Sequence, residues 1–222
     1  MTAREAAGRM AECCRQLARR GLMAGQDGNL SVRLGPDRVL VTPAGLIKSQ
    51  LTAADMVEVD LAGRRRRGRR NPTSELDLHL RILRRRPDVG AVVHAHPPTA
   101  TGFAVAGEGI PANVLPELIF QVGPVPVVPY GTPGTAELGD KVEPLIGRHD
   151  ALLLANHGAV TVGRTIDQAW IRMESLEHGA RIILMARLLR GGGGSGEARE
   201  LKPGEVARLL ALRDRMGRET DA

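Results

Sequence analysis

The sequence predicts an α/β fold in which helices cover a mixed, mostly antiparallel sheet. Three observations carry that expectation. Strand-like and helix-like apolar patterns interleave along most of the 222 residues. Several neighbouring strand segments are joined by short turns, which antiparallel partners allow and parallel ones do not. The length suits one well-packed domain and is short for two.

The elements follow in order. Thr2-Ala3-Arg4-Glu5 is a capping box, after which Ala6, Met10, Cys13, Cys14 and Leu17 recur at helical spacing until Gly21 and Gly25 end the helix. Strands are expected at Asn29–Arg33 and Arg38–Thr42, separated by the turn signal Gly35-Pro36-Asp37. Leu51–Asp55 reads as one helical turn and Met56–Asp60 as a strand. The run Arg64–Arg70 behind Asp60-Leu61-Ala62-Gly63 reads as a solvated turn. Pro72-Thr73-Ser74-Glu75 opens a helix through Leu76, Leu80 and Leu83 to Arg86, where Pro87 stops it.

Val89–His96 is apolar and β-branched, a buried strand that terminates in histidines. Pro97-Pro98 starts a short helix through Phe103 and Val105. Gly123–Tyr130 is broken by prolines and reads as extended chain at a sheet edge. Thr135–Ile146 is helical, Ala151–Ala155 a buried strand, and Ala159–Val162 a strand after a turn at Gly158. Thr165 caps a long helix to Leu189. Residues 1–190 are therefore expected to form the main domain, 191–196 a glycine-rich linker, and 197–222 a tail with an amphipathic helix at Glu205–Met216.

Composition narrows the function classes. No apolar run approaches the eighteen or so residues of a membrane span, and the charged N-terminus lacks a signal-peptide core. Cys13 and Cys14 are adjacent, an awkward geometry for a mutual disulfide, so a reducing cytoplasm is expected. The net charge of +6 invites a nucleic-acid partner. Four aromatic residues leave almost nothing for base stacking, and neither nucleic acid nor membrane is expected as a partner.

The chemistry concentrates in the histidines. His94 and His96 are two apart on an expected strand, so both side chains share one face at the sheet margin. His157 lies where another buried strand runs into a turn. Three neutral imidazoles suit zinc and leave positions open for a substrate. His79, His149 and His178 sit in helical or charged contexts and read as surface or satisfied core groups. Glu75 at a helix start is either a simple cap or a general base beside the cation. Gly28-Asn29, Thr42-Pro43-Ala44-Gly45 and Thr73-Ser74 are small-residue turns whose amides suit a phosphate if the fold gathers them.

Six segments, taken together, resemble the class II aldolase/adducin family. They are Gly28–Arg33, Thr42–Gly45, Pro72–Glu75, Arg86-Pro87-Asp88 leading to His94-Ala95-His96, Pro129-Tyr130-Gly131, and Asn156-His157-Gly158. Their order and spacing cover residues 5 to 190. The resemblance implies a three-layer α/β/α sandwich and a homotetramer with sites between subunits. It further implies zinc, or another divalent metal, held by His94, His96 and His157, with Glu75 as base and as ligand of the resting metal. Substrate phosphate would be held by Asn29, Ala44, Gly45, Thr73 and Ser74.

The implied reaction is cleavage of a ketose 1-phosphate to dihydroxyacetone phosphate and an aldehyde through a metal-stabilised enediolate. The same family contains sugar-phosphate dehydratases, epimerases and decarboxylases, and adducin-type heads that have lost the histidines. Two departures stand out. Ala44 replaces a threonine of the family's aldolases, and no tyrosine follows Gly191, Tyr130 being the single tyrosine of the chain. Those aldolases use tyrosine acids, and Glu117 in Leu115-Pro116-Glu117-Leu118 is the candidate replacement.

Overall fold

The structure, a computed structural model, describes residues 1–190 and 198–220. The expected linker at 191–196 lies outside the described residues. Eight strands form one sheet among the described residues: β1 Asn29–Gly35, β2 Arg38–Val41, β3 Val57–Val59, β4 Arg65–Arg67, β5 Ala91–Ala95, β6 Val127–Val128, β7 Ala151–Leu154 and β8 Gly158–Gly163. Their spatial order is β4-β3-β2-β1-β5-β8-β7-β6. Every pairing is antiparallel except β6 with β7, so the sheet is mixed and mostly antiparallel as expected.

Helices are α1 Ala3–Arg19, α2 Leu76–Arg85, α3 Pro98–Ala106, α4 Pro116–Gln121, α5 Ala136–Ile146, α6 Ile166–Leu189 and α7 Pro203–Thr220. They divide between the two faces. Leu30, Val32 and Val93 pack with Met10 and Leu17 of α1 and with Phe103 and Met173 of α3 and α6. On the other face Val92, Val160 and Val162 pack with Leu80 and Leu83 of α2 and Val142 and Ile146 of α5. Each such side chain contributes about 1.5–3 kcal/mol on burial, so both faces must be covered and three α/β/α layers result.

Local sequence explains the anchoring points. Thr2 and Glu5 close the capping box on α1 reciprocally. Arg86 pairs with Asp88 at 2.7 Å and Asp150 at 3.0 Å and donates to the Ile146 carbonyl, fastening the end of α2 to the start of β7. α7 follows Leu201, whose N–H donates to the Asn113 carbonyl, and its Leu209 and Leu212 side chains line a groove with Pro116 of α4.

Two expectations are corrected. The arginine run is not a turn, because Arg65–Arg67 form edge strand β4 against β3. The buried Asp60 carboxylate accepts the N–H groups of Ala62 and Arg64 and pairs with the Arg64 and Arg66 guanidiniums, which organises the reversal. Leu115–Phe120, for which no element was expected, contains most of α4, started by Pro116 and seated against α6 where Gly179 leaves room for Leu118.

Candidate metal centre

Strand register places the site. Asn29 of β1 lies directly opposite His94 of β5, and Ser31 opposite Val92. Alternation sends Leu30, Val32 and Val93 to one face and Asn29, Ser31, Val92 and His94 to the other, where α2 lies. Glu75 precedes α2 and His79 stands one turn further along it, so β1, β5 and α2 meet around polar groups in an otherwise apolar layer.

The third imidazole arrives from the β7–β8 turn. Asn156 takes the left-handed conformation at φ 56°, a position asparagine tolerates, and this directs His157 back toward β5. Gly158 follows because a Cβ there would lie 2.6 Å from the His96 ring and 2.7 Å from the Ala95 carbonyl. Gly28 has φ 76°, and a Cβ on it would meet the His94 carbonyl at 2.8 Å. Both glycines let backbone close around the cluster.

The rings of His94, His96 and His157 stand 4.7–5.0 Å apart between centroids. His94 Nε2 and His96 Nε2 are 3.2 Å apart. One Glu75 oxygen lies 3.1 Å from His94 Nε2 and the other 3.5 Å from His157 Nε2. Two nitrogens sharing a tetrahedral zinc at 2.0–2.1 Å stand about 3.3 Å apart, so the spacing fits such an ion. His94 Nδ1 meets the Ala159 carbonyl at 2.9 Å, which places its proton there and leaves Nε2 bare toward the cluster. Glu75 Oε1 is buried and without a hydrogen-bond partner among the described residues, a costly arrangement unless a cation completes it. The three histidines form a group able to hold a metal ion.

Electrostatics agree. Burial opposes ionisation of Glu75, yet the His94 and His157 rings and the Asn29 amide outweigh it and hold the carboxyl well below the usual range. Burial and the neighbouring His94 push His157 down to about 4, keeping its ring neutral and available as a ligand. His94 moves the other way: burial is outweighed by the adjacent Glu75, and its value rises.

The other expected residues divide. The Thr42–Gly45 and Asn71–Glu75 segments lie side by side through the Pro43–Pro72 bridge and the Thr73 N–H to Thr42 carbonyl bond. Ala44, Gly45 and Ser74 reach solvent there, whereas Gly28, Asn29 and Thr73 are buried. The Ala44 N–H is taken by the Asn71 carbonyl, and the Thr73 hydroxyl accepts the Glu75 N–H. Glu75 occupies the helix N-cap without capping it, its carboxylate turned into the cluster instead. Glu117 is exposed on α4, so its carboxylate is solvated rather than stranded, and it lines a groove with Arg20, Glu174 and His178 away from the three rings.

Sequence reading missed two contributors. Asp27 stands 3.7 Å behind His96, and buried Lys48 ties the loops at Gln26 and Leu46 together. His79, read as a surface or satisfied core group, is the latter, fully buried and bonded at both nitrogens. It follows Glu75 by four residues and so faces the same way on the helix.

Fold and cluster together define a class: three-layer α/β/α proteins with a buried carboxylate beside three imidazoles that can share one divalent cation. The profile described as class II aldolase and adducin N-terminal domain matches residues 8–184, and the chain belongs to that family. It is 42% identical over 158 residues to a 5-methylthioribulose-1-phosphate/5-deoxyribulose-1-phosphate aldolase of Rhodospirillum rubrum, covering 71% of each chain. It is 37% identical over 171 residues to a 3-oxo-tetronate 4-phosphate decarboxylase of Pectobacterium atrosepticum, covering 75% of this chain and 78% of that one. The solved structure of an L-fuculose 1-phosphate aldolase superposes with a TM-score of 0.85 at 29% identity, covering 94% of this chain and 95% of that chain. Among the described residues no helix is long and apolar enough to cross a membrane.

Proposed function

We propose that this chain is a zinc-dependent aldehyde-lyase that cleaves a ketose 1-phosphate to dihydroxyacetone phosphate and an aldehyde. The observation that carries the reading is the convergence of His94, His96, His157 and Glu75, with Glu75 Oε1 buried and unpaired. The imidazoles would hold the cation, and Glu75 would complete its resting coordination. Bound zinc would supply electrophilic stabilisation of negative charge developing on the substrate oxygens.

The chain's own groups do the rest. Glu75, held ionised, moves off as substrate enters and passes a proton to and from the carbon that loses or gains its aldehyde partner. Gly45 and Ser74, open to solvent beside it, receive the phosphate with Gly28, Asn29, Ala44 and Thr73 shaping the floor. Glu117 takes the proton from the hydroxyl that becomes the aldehyde oxygen on cleavage, and returns it to that oxygen in the reverse condensation. Because Glu117 lies on the surface away from its own cluster, this role would need the cluster of a neighbouring copy, as in the homotetramer that forms part of the proposal. Buried, unpaired Cys13 and Cys14 fit a cytoplasmic setting.

A second reading is favoured by the decarboxylase relative and by the single tyrosine of the chain. Loss of carbon dioxide from a 3-oxo acid phosphate also leaves charge beside a carbonyl and uses the same residues. One experiment separates them. Zinc-loaded protein is offered a panel of ketose 1-phosphates with coupled detection of dihydroxyacetone phosphate, and in parallel 3-oxo-tetronate 4-phosphate with detection of released carbon dioxide. Dihydroxyacetone phosphate is expected; carbon dioxide alone would replace the aldolase reading by the second, and neither product with zinc bound would refute both.

A further inference from the structure

Behind Glu75 runs a chain of buried polar groups whose far members, His79 and Ser31, neither proposed reaction uses. Asn29 Nδ2 donates to Glu75 Oε2 at 2.8 Å, His79 Nε2 meets Asn29 Oδ1 at 2.5 Å, and Ser31 Oγ meets His79 Nδ1 at 2.7 Å. Ser31 and His79 are wholly buried, and Asn29 and Glu75 nearly so. Solvent therefore cannot supply alternative partners.

The charge on Glu75 fixes the polarity of every link. An ionised carboxylate accepts only, so the Asn29 group facing it must be the NH2. Turning that amide over would set a carbonyl oxygen 2.8 Å from a carboxylate oxygen. With NH2 toward Glu75, the amide oxygen faces His79, so the proton of that ring must sit on Nε2. Nδ1 is then bare and the Ser31 hydroxyl must donate to it. The ring is neutral, since burial and then the neighbouring His94 push His79 down to about 3 against the opposing pull of Glu75. Four groups thus settle on one arrangement.

We propose that His79 is a positioning residue that, clamped by Ser31, holds the Asn29 amide so that Glu75 keeps its carboxylate turned to the imidazoles, Oε2 beside His94 and Oε1 beside His157. The inference rests on the reading of Glu75 as base and metal ligand, and it adds that a buried histidine, itself out of reach of cation and substrate, sets how well Glu75 does both. It also gives Asn29 a task distinct from phosphate binding.

The test uses a matched pair of variants on the full chain. In His79→Gln the side-chain NH2 falls near the former Nε2 and keeps the donor to Asn29; in His79→Asn it falls near Nδ1, and that donor is lost. Zinc titration should show affinity reduced about 10-fold or more in His79→Asn and within about 3-fold of the parent in His79→Gln. At saturating zinc, kcat should fall in the same order with KM little changed. Independently, 15N-histidine-labelled, zinc-loaded parent protein should show His79 as the neutral Nε2–H tautomer by long-range 1H–15N correlation. A Nδ1–H or doubly protonated ring would overturn the proposal, as would equal zinc affinities in the two variants. If no sugar phosphate is turned over, the functional reading fails, while the tautomer and the zinc series still decide this one.

Discussion

At the residue scale the site depends on which atom carries a proton. Glu75→Gln removes the proposed base and leaves three imidazoles, so turnover should drop about 10²–10⁴-fold with zinc still bound, measured by kinetics alongside metal analysis. A proton and the proposed divalent cation would compete for the same imidazole nitrogens. Because the neighbouring Glu75 outweighs burial and raises His94 above the ordinary imidazole value, affinity for the cation should begin to fall while pH is still above that ordinary value, well before His157 near 4 can protonate. Isothermal titration at a series of pH values would show proton release on binding that grows as pH falls through that range; pH-independent binding would contradict it. Much of this was legible beforehand. The His94/His96 alternation, His157 at a strand end and Glu75 before a helix each leave a local trace. The link from Glu75 to Asn29 leaves none, because it exists only once β1 and β5 pair with Asn29 opposite His94. The capping role open to Glu75 in the sequence gave way for the same reason, since strand partners drew its carboxylate inward.

At the element scale the helices are short-range affairs and the failures instructive. Thr2→Ala should cost about 1 kcal/mol in chemical denaturation by opening the box on α1, a helix announced in the sequence by its regular apolar spacing. α4 had no such spacing: six residues opened by proline are too few for a helical period to emerge. Its position comes from α6, where a Cβ at Gly179 would lie 2.7 Å from Leu118. Gly179→Val should therefore lower stability by about 1–3 kcal/mol through overpacking and displace the helix that carries Glu117. An unchanged denaturant midpoint would show that α4 yields freely. β4 was misread because its three residues are all exposed arginines and show neither alternation nor apolarity. Only pairing with β3 makes them a strand.

At the scale of the whole molecule, two features speak to assembly. Leu184, Met185, Leu188 and Leu189 at the end of α6 are 41–84% exposed, an apolar stretch that association of copies would cover. If Glu117 serves a neighbour, subunits carrying Glu75→Gln and subunits carrying Glu117→Gln, each nearly inactive alone, should regain part of the parent turnover when refolded together. The sheet edge points the other way. β4 ends the sheet with exposed Arg65, Arg66 and Arg67; Asp60 offsets Arg66, and a second such strand approaching to continue the ladder would still meet Arg65 and Arg67. Growth of the sheet from molecule to molecule is thereby discouraged, and the discouragement is Coulombic, so it weakens as salt shortens the reach of charge. A concentrated stock should stay clear in dilute buffer and scatter more light in molar sodium chloride, and threonines at Arg65 and Arg67 should bring that turbidity on at low salt.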